Sequence, residues 1–88
     1  MRLPGEEYVD EGLRDLAQGR ETISALLVAI GSPRLRQLGI SVPEHSFTDP
    51  EHRLYKMLAT EDSDSAHSRY NALVRRLASF ENSYRCAN

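Results

Sequence analysis

The chain has 88 residues, 27% of them charged and 40% hydrophobic, with a formal net charge of −2. That length gives one domain over residues 1–88, and that composition excludes a low-hydrophobicity disordered chain. A single cysteine, Cys86, excludes an internal disulfide framework, so core packing or association must supply stability.

The charge is unevenly spread. Residues 1–31 carry a balance of −3, Glu61, Asp62 and Asp64 form a second acidic patch, and residues 66–88 carry +3. Met1 to Glu7 lacks the basic-then-apolar layout of a secretory signal, and the longest apolar run, Ala25 to Ile30, is too short to span a membrane. With the lone thiol, these features lead to the expectation of a cytoplasmic protein with no membrane partner.

The first predicted element covers residues 5–18. Tyr8, Val9, Gly12, Leu13, Leu16 and Ala17 share one side of a helix, and Glu7, Asp10, Glu11, Arg14, Asp15 and Gln18 share the other. Gly19 supplies a stop. Thr22 is a cap for a second element over 22–30. Its short apolar run is compatible with strand or helix by periodicity, and helix is chosen because the chain offers no second strand to pair with it. A helix apolar on most sides belongs at the centre of a bundle.

Gly31-Ser32-Pro33 reads as the end of that helix and the start of a third, over 33–38, with Ser32 as cap, Pro33 in the first turn and Gly39 as stop. Residues 40–47 read as a loop pinned by Ile40, Val42 and Phe47. Asp49-Pro50-Glu51 repeats the start signal for a helix over 50–60 with Leu54, Met57 and Leu58 inward, helped by Tyr55. Asp64 or Ser65 would cap the last and longest helix, over 65–84. On it Ala66, Tyr70, Leu73, Leu77, Phe80 and Tyr84 form one apolar stripe. The expected fold is therefore an all-α bundle of about five helices.

Chemistry is sparse. His45, His52, His67 and Cys86 are metal-ligating types, but no two have the close spacing of a zinc site, and isolated surface histidines are the plainer account. Glu7, Asp10, Glu11 and Asp15 could do acid–base work only in an enclosed site, and local pairing with Arg14 explains them more simply. Cys86 and His67 are too far apart on one helix to act as nucleophile and base. A helix-turn-helix around Gly31 would have a reading helix barely two turns long. No catalytic, cofactor or metal residue is assigned, and the chain is expected not to be an enzyme.

Three functions follow as expectations. The leading one is a non-enzymatic protein that binds another protein or a second copy of itself, in the manner of an inhibitor or an antitoxin-like regulator. Arg69, Tyr70, Arg76, Phe80 and Tyr84 are its candidate contact residues, because interfaces favour aromatic and arginine side chains. One alternative is a nucleic-acid-binding or accessory protein using Arg34, Arg36, Arg69, Arg75 and Arg76, which requires those arginines to converge. The other is a small metal-dependent hydrolase using the early carboxylates and a histidine in one cleft.

Overall fold

Four α-helices in chain order make up the regular structure of residues 3–87 in the computed structural model: α1 (Glu6–Ala17), α2 (Ile23–Gln37), α3 (Pro50–Glu61) and α4 (Ala66–Ala87). Met1, Arg2 and Asn88 lie outside the described residues, and so does the part of the leader reading that rests on Met1 and Arg2. The all-α expectation holds, with no strand among the described residues. The helices fill an envelope of 38 × 25 × 19 Å.

Helix α2 is the hub, packed against α1, α3 and α4 alike. Its apolar run from Ala25 to Ala29 is buried, as a helix without a polar face must be. Thr22 caps it. The Ala25 N–H donates to Thr22 Oγ1 at 3.1 Å, and the Thr22 hydroxyl donates to Asp15 Oδ2 at 2.6 Å, tying the end of α1 to the start of α2. Asp15, expected on the solvent side, is buried by this tie.

The helix count is corrected from five to four, because residues 22–30 and 33–38 form one helix that continues through Pro33. An interior proline removes one backbone hydrogen bond and crowds the preceding turn, a cost of about 3 kcal/mol. The offset is a continuous buried stripe, Ser24, Val28, Gly31 and Leu35, whose steps of four, three and four run across the proline. Burying Leu35 fully is worth about 1.5–3 kcal/mol, and Pro33 itself stays exposed on the outer side. Ser32 is buried inside the helix and caps nothing.

Gly19 and Gly39 end α1 and α2 in the same way. Each has positive φ, 72° and 90°. Behind each lies a paired closure, Gly19 N–H to Leu16 O with Arg20 N–H to Asp15 O, and Gly39 N–H to Arg36 O with Ile40 N–H to Leu35 O. This is the Schellman arrangement, which favours a residue without Cβ. The intervening loop is anchored as expected, with Ile40, Val42 and Phe47 packed on the core.

Helix α3 begins at Pro50 after Asp49, which adopts a left-handed φ of 50° and makes no side-chain cap bond. Before α4, Asp62 rather than Asp64 or Ser65 organises the turn. Its carboxylate accepts from the Asp64 N–H at 3.1 Å and from the Ser65 hydroxyl at 3.0 Å. On α4, Ala66, Leu73, Leu77 and Phe80 enter the core with Leu54 and Leu58 of α3 and Val9 and Leu16 of α1. The apolar stripe thus finds cover within its own chain.

Candidate functional site

Helix α3 places Leu54 and Leu58 inward, which leaves Glu51 and Tyr55, one turn apart, on a shared outer face. Tyr55 is 39% exposed, the most exposed large apolar side chain among the described residues. Helix α4 brings His67 and Tyr70 beside it. The Tyr55 and Tyr70 ring centroids are 5.8 Å apart, and those of Tyr55 and His67 are 6.5 Å apart in an edge-on arrangement. Such geometry is attractive between rings whose faces are negative and edges positive.

Charge surrounds this cluster. Partial burial raises the Tyr70 phenol above its ordinary pKa, and the carboxylates of Glu51 and Asp49 raise it further. Arg69 is held at 2.9 Å by Glu61 across the turn between α3 and α4. The arrangement is an aromatic centre with the Glu51 and Asp49 carboxylates acting on it, which suits contact with a complementary surface.

Of the five candidate contact residues, Tyr70 belongs to this face, whereas Arg69, two residues after His67, turns to the other side of α4 toward Glu61. The other three lie further along α4. Arg76 stands 5.6 Å over the Tyr8 ring and 3.7 Å from Glu7 of α1. Phe80 is in the core at 4% exposure, and its ring lies 5.7 Å from that of half-buried Tyr84.

The arginines of the nucleic-acid alternative occupy separate places. Arg34 and Arg36 are at the end of α2, where Arg36 donates to Val42 O at 3.3 Å. Arg69 is at the opposite end of α4 from the amino-terminal segment. Arg75 and Arg76 line a hollow with Leu3, Pro4 and Gly5.

For the hydrolase alternative, Asp10 lines an apolar recess with Leu3, Leu13, Ile40 and Tyr84, whereas His52 lines a different cleft with Glu21 and Asp49. Among the described residues no group of three or more histidine, cysteine, aspartate or glutamate side chains is placed to hold a metal ion. Cys86 is exposed and unbridged, and His45 lies beside the Phe47 ring, with a buried Nδ1 that has no hydrogen-bond partner.

One unusual group escaped the sequence reading. Glu81 is only 8% exposed, and its Oε2 is buried with no hydrogen-bond partner. Burial raises its pKa, and the Arg34 and Arg85 charges oppose that rise. Arg34 approaches Oε1 at 3.7 Å through a guanidinium side chain that is 77% exposed. A signal existed in the spacing, since Leu73, Leu77 and Glu81 follow one another at steps of four and so share a face.

No protein-family model, no curated protein and no solved structure matches this chain. Among the described residues, no helix is long and apolar enough to cross a membrane.

Proposed function

We propose that this chain is a non-enzymatic protein that binds another protein through the α3–α4 face, as an inhibitor or antitoxin-like regulator in a cytoplasmic setting. The observation that carries the reading is the cluster of Tyr55, Tyr70 and His67, with Tyr55 exposed at its centre. Tyrosine is enriched at interfaces because it brings a large, stiff contact area and a polar tip.

The alternatives draw less support. Phosphate binding strengthens with the number of cations that converge on the backbone, and the five arginines fall in three places, Arg34 with Arg36, Arg69, and Arg75 with Arg76. A hydrolase would bring an early carboxylate and a histidine into one cleft, and Asp10 and His52 line two.

The test is isolation of bound material from native lysate, with and without nuclease, using wild type and Tyr55→Ala. A protein retained after nuclease by wild type and lost from Tyr55→Ala supports the reading. Recovery that disappears with nuclease, or that is indifferent to Tyr55, contradicts it.

A further inference from the structure

We propose that the partner of this face is a basic polypeptide segment, which lays a lysine or arginine side chain in the groove between α2 and α4 and sets its charge against Glu81. The inference rests on the protein-binding reading above and names the chemistry of the partner.

The first support is the carboxylate itself. Glu81 lines the groove, is more than nine-tenths buried, and has one oxygen with no donor. A buried acceptor without a donor is costly, and an ionised one more so. Arg34 does not remove that cost, because it stands 3.7 Å from the other oxygen and is mostly in solvent. The site therefore has an acceptor in place and a loosely held occupant. The terminal torsion of a glutamate is broad, so the carboxylate can turn from Gly31 toward an incoming donor.

The second support is the shape and lining of the groove. It has a volume of about 380 Å³, with Ile30, Pro33, Val74 and Ala78 on its walls, Glu51 as a second carboxylate and Arg34 as the one cation in its lining. Apolar walls with carboxylates suit a long methylene stem that ends in a cation, because lysine and arginine bury the stem and keep the charge at a polar edge.

The third support is continuity with the aromatic face. Glu51 lines the groove and also acts on the Tyr70 hydroxyl, and Tyr70 precedes Val74 by one helical turn. The faces of Tyr55 and Tyr70 attract cations, as do Glu51 and Asp49 beside them. The surface from Tyr55 to Glu51 therefore favours positive charge, and at the inner end an incoming cation would displace the exposed Arg34 side chain from Glu81. An acidic segment would meet Asp49, Glu51 and Glu81, and a purely apolar one would leave Oε2 without a donor. A free amine would fill only one end of an open groove, which is why the occupant assigned is a polypeptide.

The test is an amide NMR titration of the full chain with an acetylated, amidated Ala-Ala-Lys-Ala-Ala peptide. The same peptide with norleucine for lysine and n-butylammonium are the comparisons. The lysine peptide is expected to shift the Gly31, Val74 and Ala78 amides and to bind about tenfold tighter than the norleucine peptide, the worth of one charge-assisted hydrogen bond. Glu81→Gln, folded by circular dichroism, is expected to erase that preference. Glu51→Gln, on the exposed rim, is expected to reduce it and serves if Glu81→Gln alters the packing.

Equal binding of the two peptides overturns the proposal, as does a lysine preference that survives both substitutions. If n-butylammonium binds as tightly as the lysine peptide, the groove takes a free amine and the polypeptide assignment fails. Tyr55→Ala separates the two readings. Its loss of the native partner with no lysine preference in the peptides sinks the groove alone. A lysine preference with the native partner unaffected by Tyr55→Ala sinks the aromatic face and leaves the groove.

Discussion

The Glu81 carboxylate of α4 rests on Gly31 of α2, so closely that a side-chain carbon built on the glycine would stand 3.2 Å from Oε2 and 2.8 Å from Leu77 Cδ2. The contact places a titratable group in the seam between two helices, with Oε2 shielded from water.

Stability should therefore depend on the protonation of Glu81. Burial raises its pKa in the fold, more than Arg34 and Arg85 lower it. The folded state then holds the proton more tightly than the unfolded one. The resulting stabilisation is fully present below the unfolded value, and it is lost as pH rises through the folded value. Glu81→Gln mimics the protonated form, so its urea midpoint should exceed that of wild type at pH 7, with the gap closing toward pH 4. A gap that widens on acidification contradicts this.

Gly12 sets how closely α1 and α2 approach. A Cβ there would lie 2.3 Å from Ser24 O and 2.4 Å from Val28 Cγ2, and the first of these is backbone that cannot turn aside. Alanine is the better helix former by up to about 1 kcal/mol. Overpacking costs typically about 1–3 kcal/mol, so Gly12→Ala should destabilise despite its propensity, read as a lower denaturation midpoint.

Thr22→Val should also destabilise, by about 1–2 kcal/mol, since it removes the cap on Ala25 N–H and the donor to buried Asp15. In a double-mutant cycle with Asp15→Asn the two losses should fall short of additive, because the residues share one hydrogen bond. Strict additivity would place the cap alone in charge of the effect.

The elements were legible where signals were local. Thr22, Gly19, Gly39 and Pro50 mark helix ends that the backbone obeys. Ser32-Pro33 misled because it is a local start signal set against a longer-range gain. The stripe through Val28, Gly31 and Leu35 carries the helix past it, and its value depends on α1 lying against Val28 and α4 against Gly31. The buried positions of Asp15 and Glu81 were illegible for a related reason. Each is defined by a residue outside its own helix, Thr22 beyond the next turn for one and Gly31 of α2 for the other.

The candidate face was half legible. Tyr70 could be read from the aromatic content of the last helix, but Phe80 faces the core and Arg69 pairs with Glu61 on the other side of α4. Tyr55 looked like a helper of the inward set. Its exposure follows from Leu54 and Leu58 taking the buried side of α3.

The most direct measurement is the dissociation constant between the purified chain and its isolated protein partner, compared for wild type and Tyr55→Ala. A central aromatic anchor contributes about 2 kcal/mol or more, so the variant should bind roughly thirtyfold more weakly while its melting temperature stays near that of wild type. Equal affinity of the two proteins would contradict the assignment of the α3–α4 face as the binding surface.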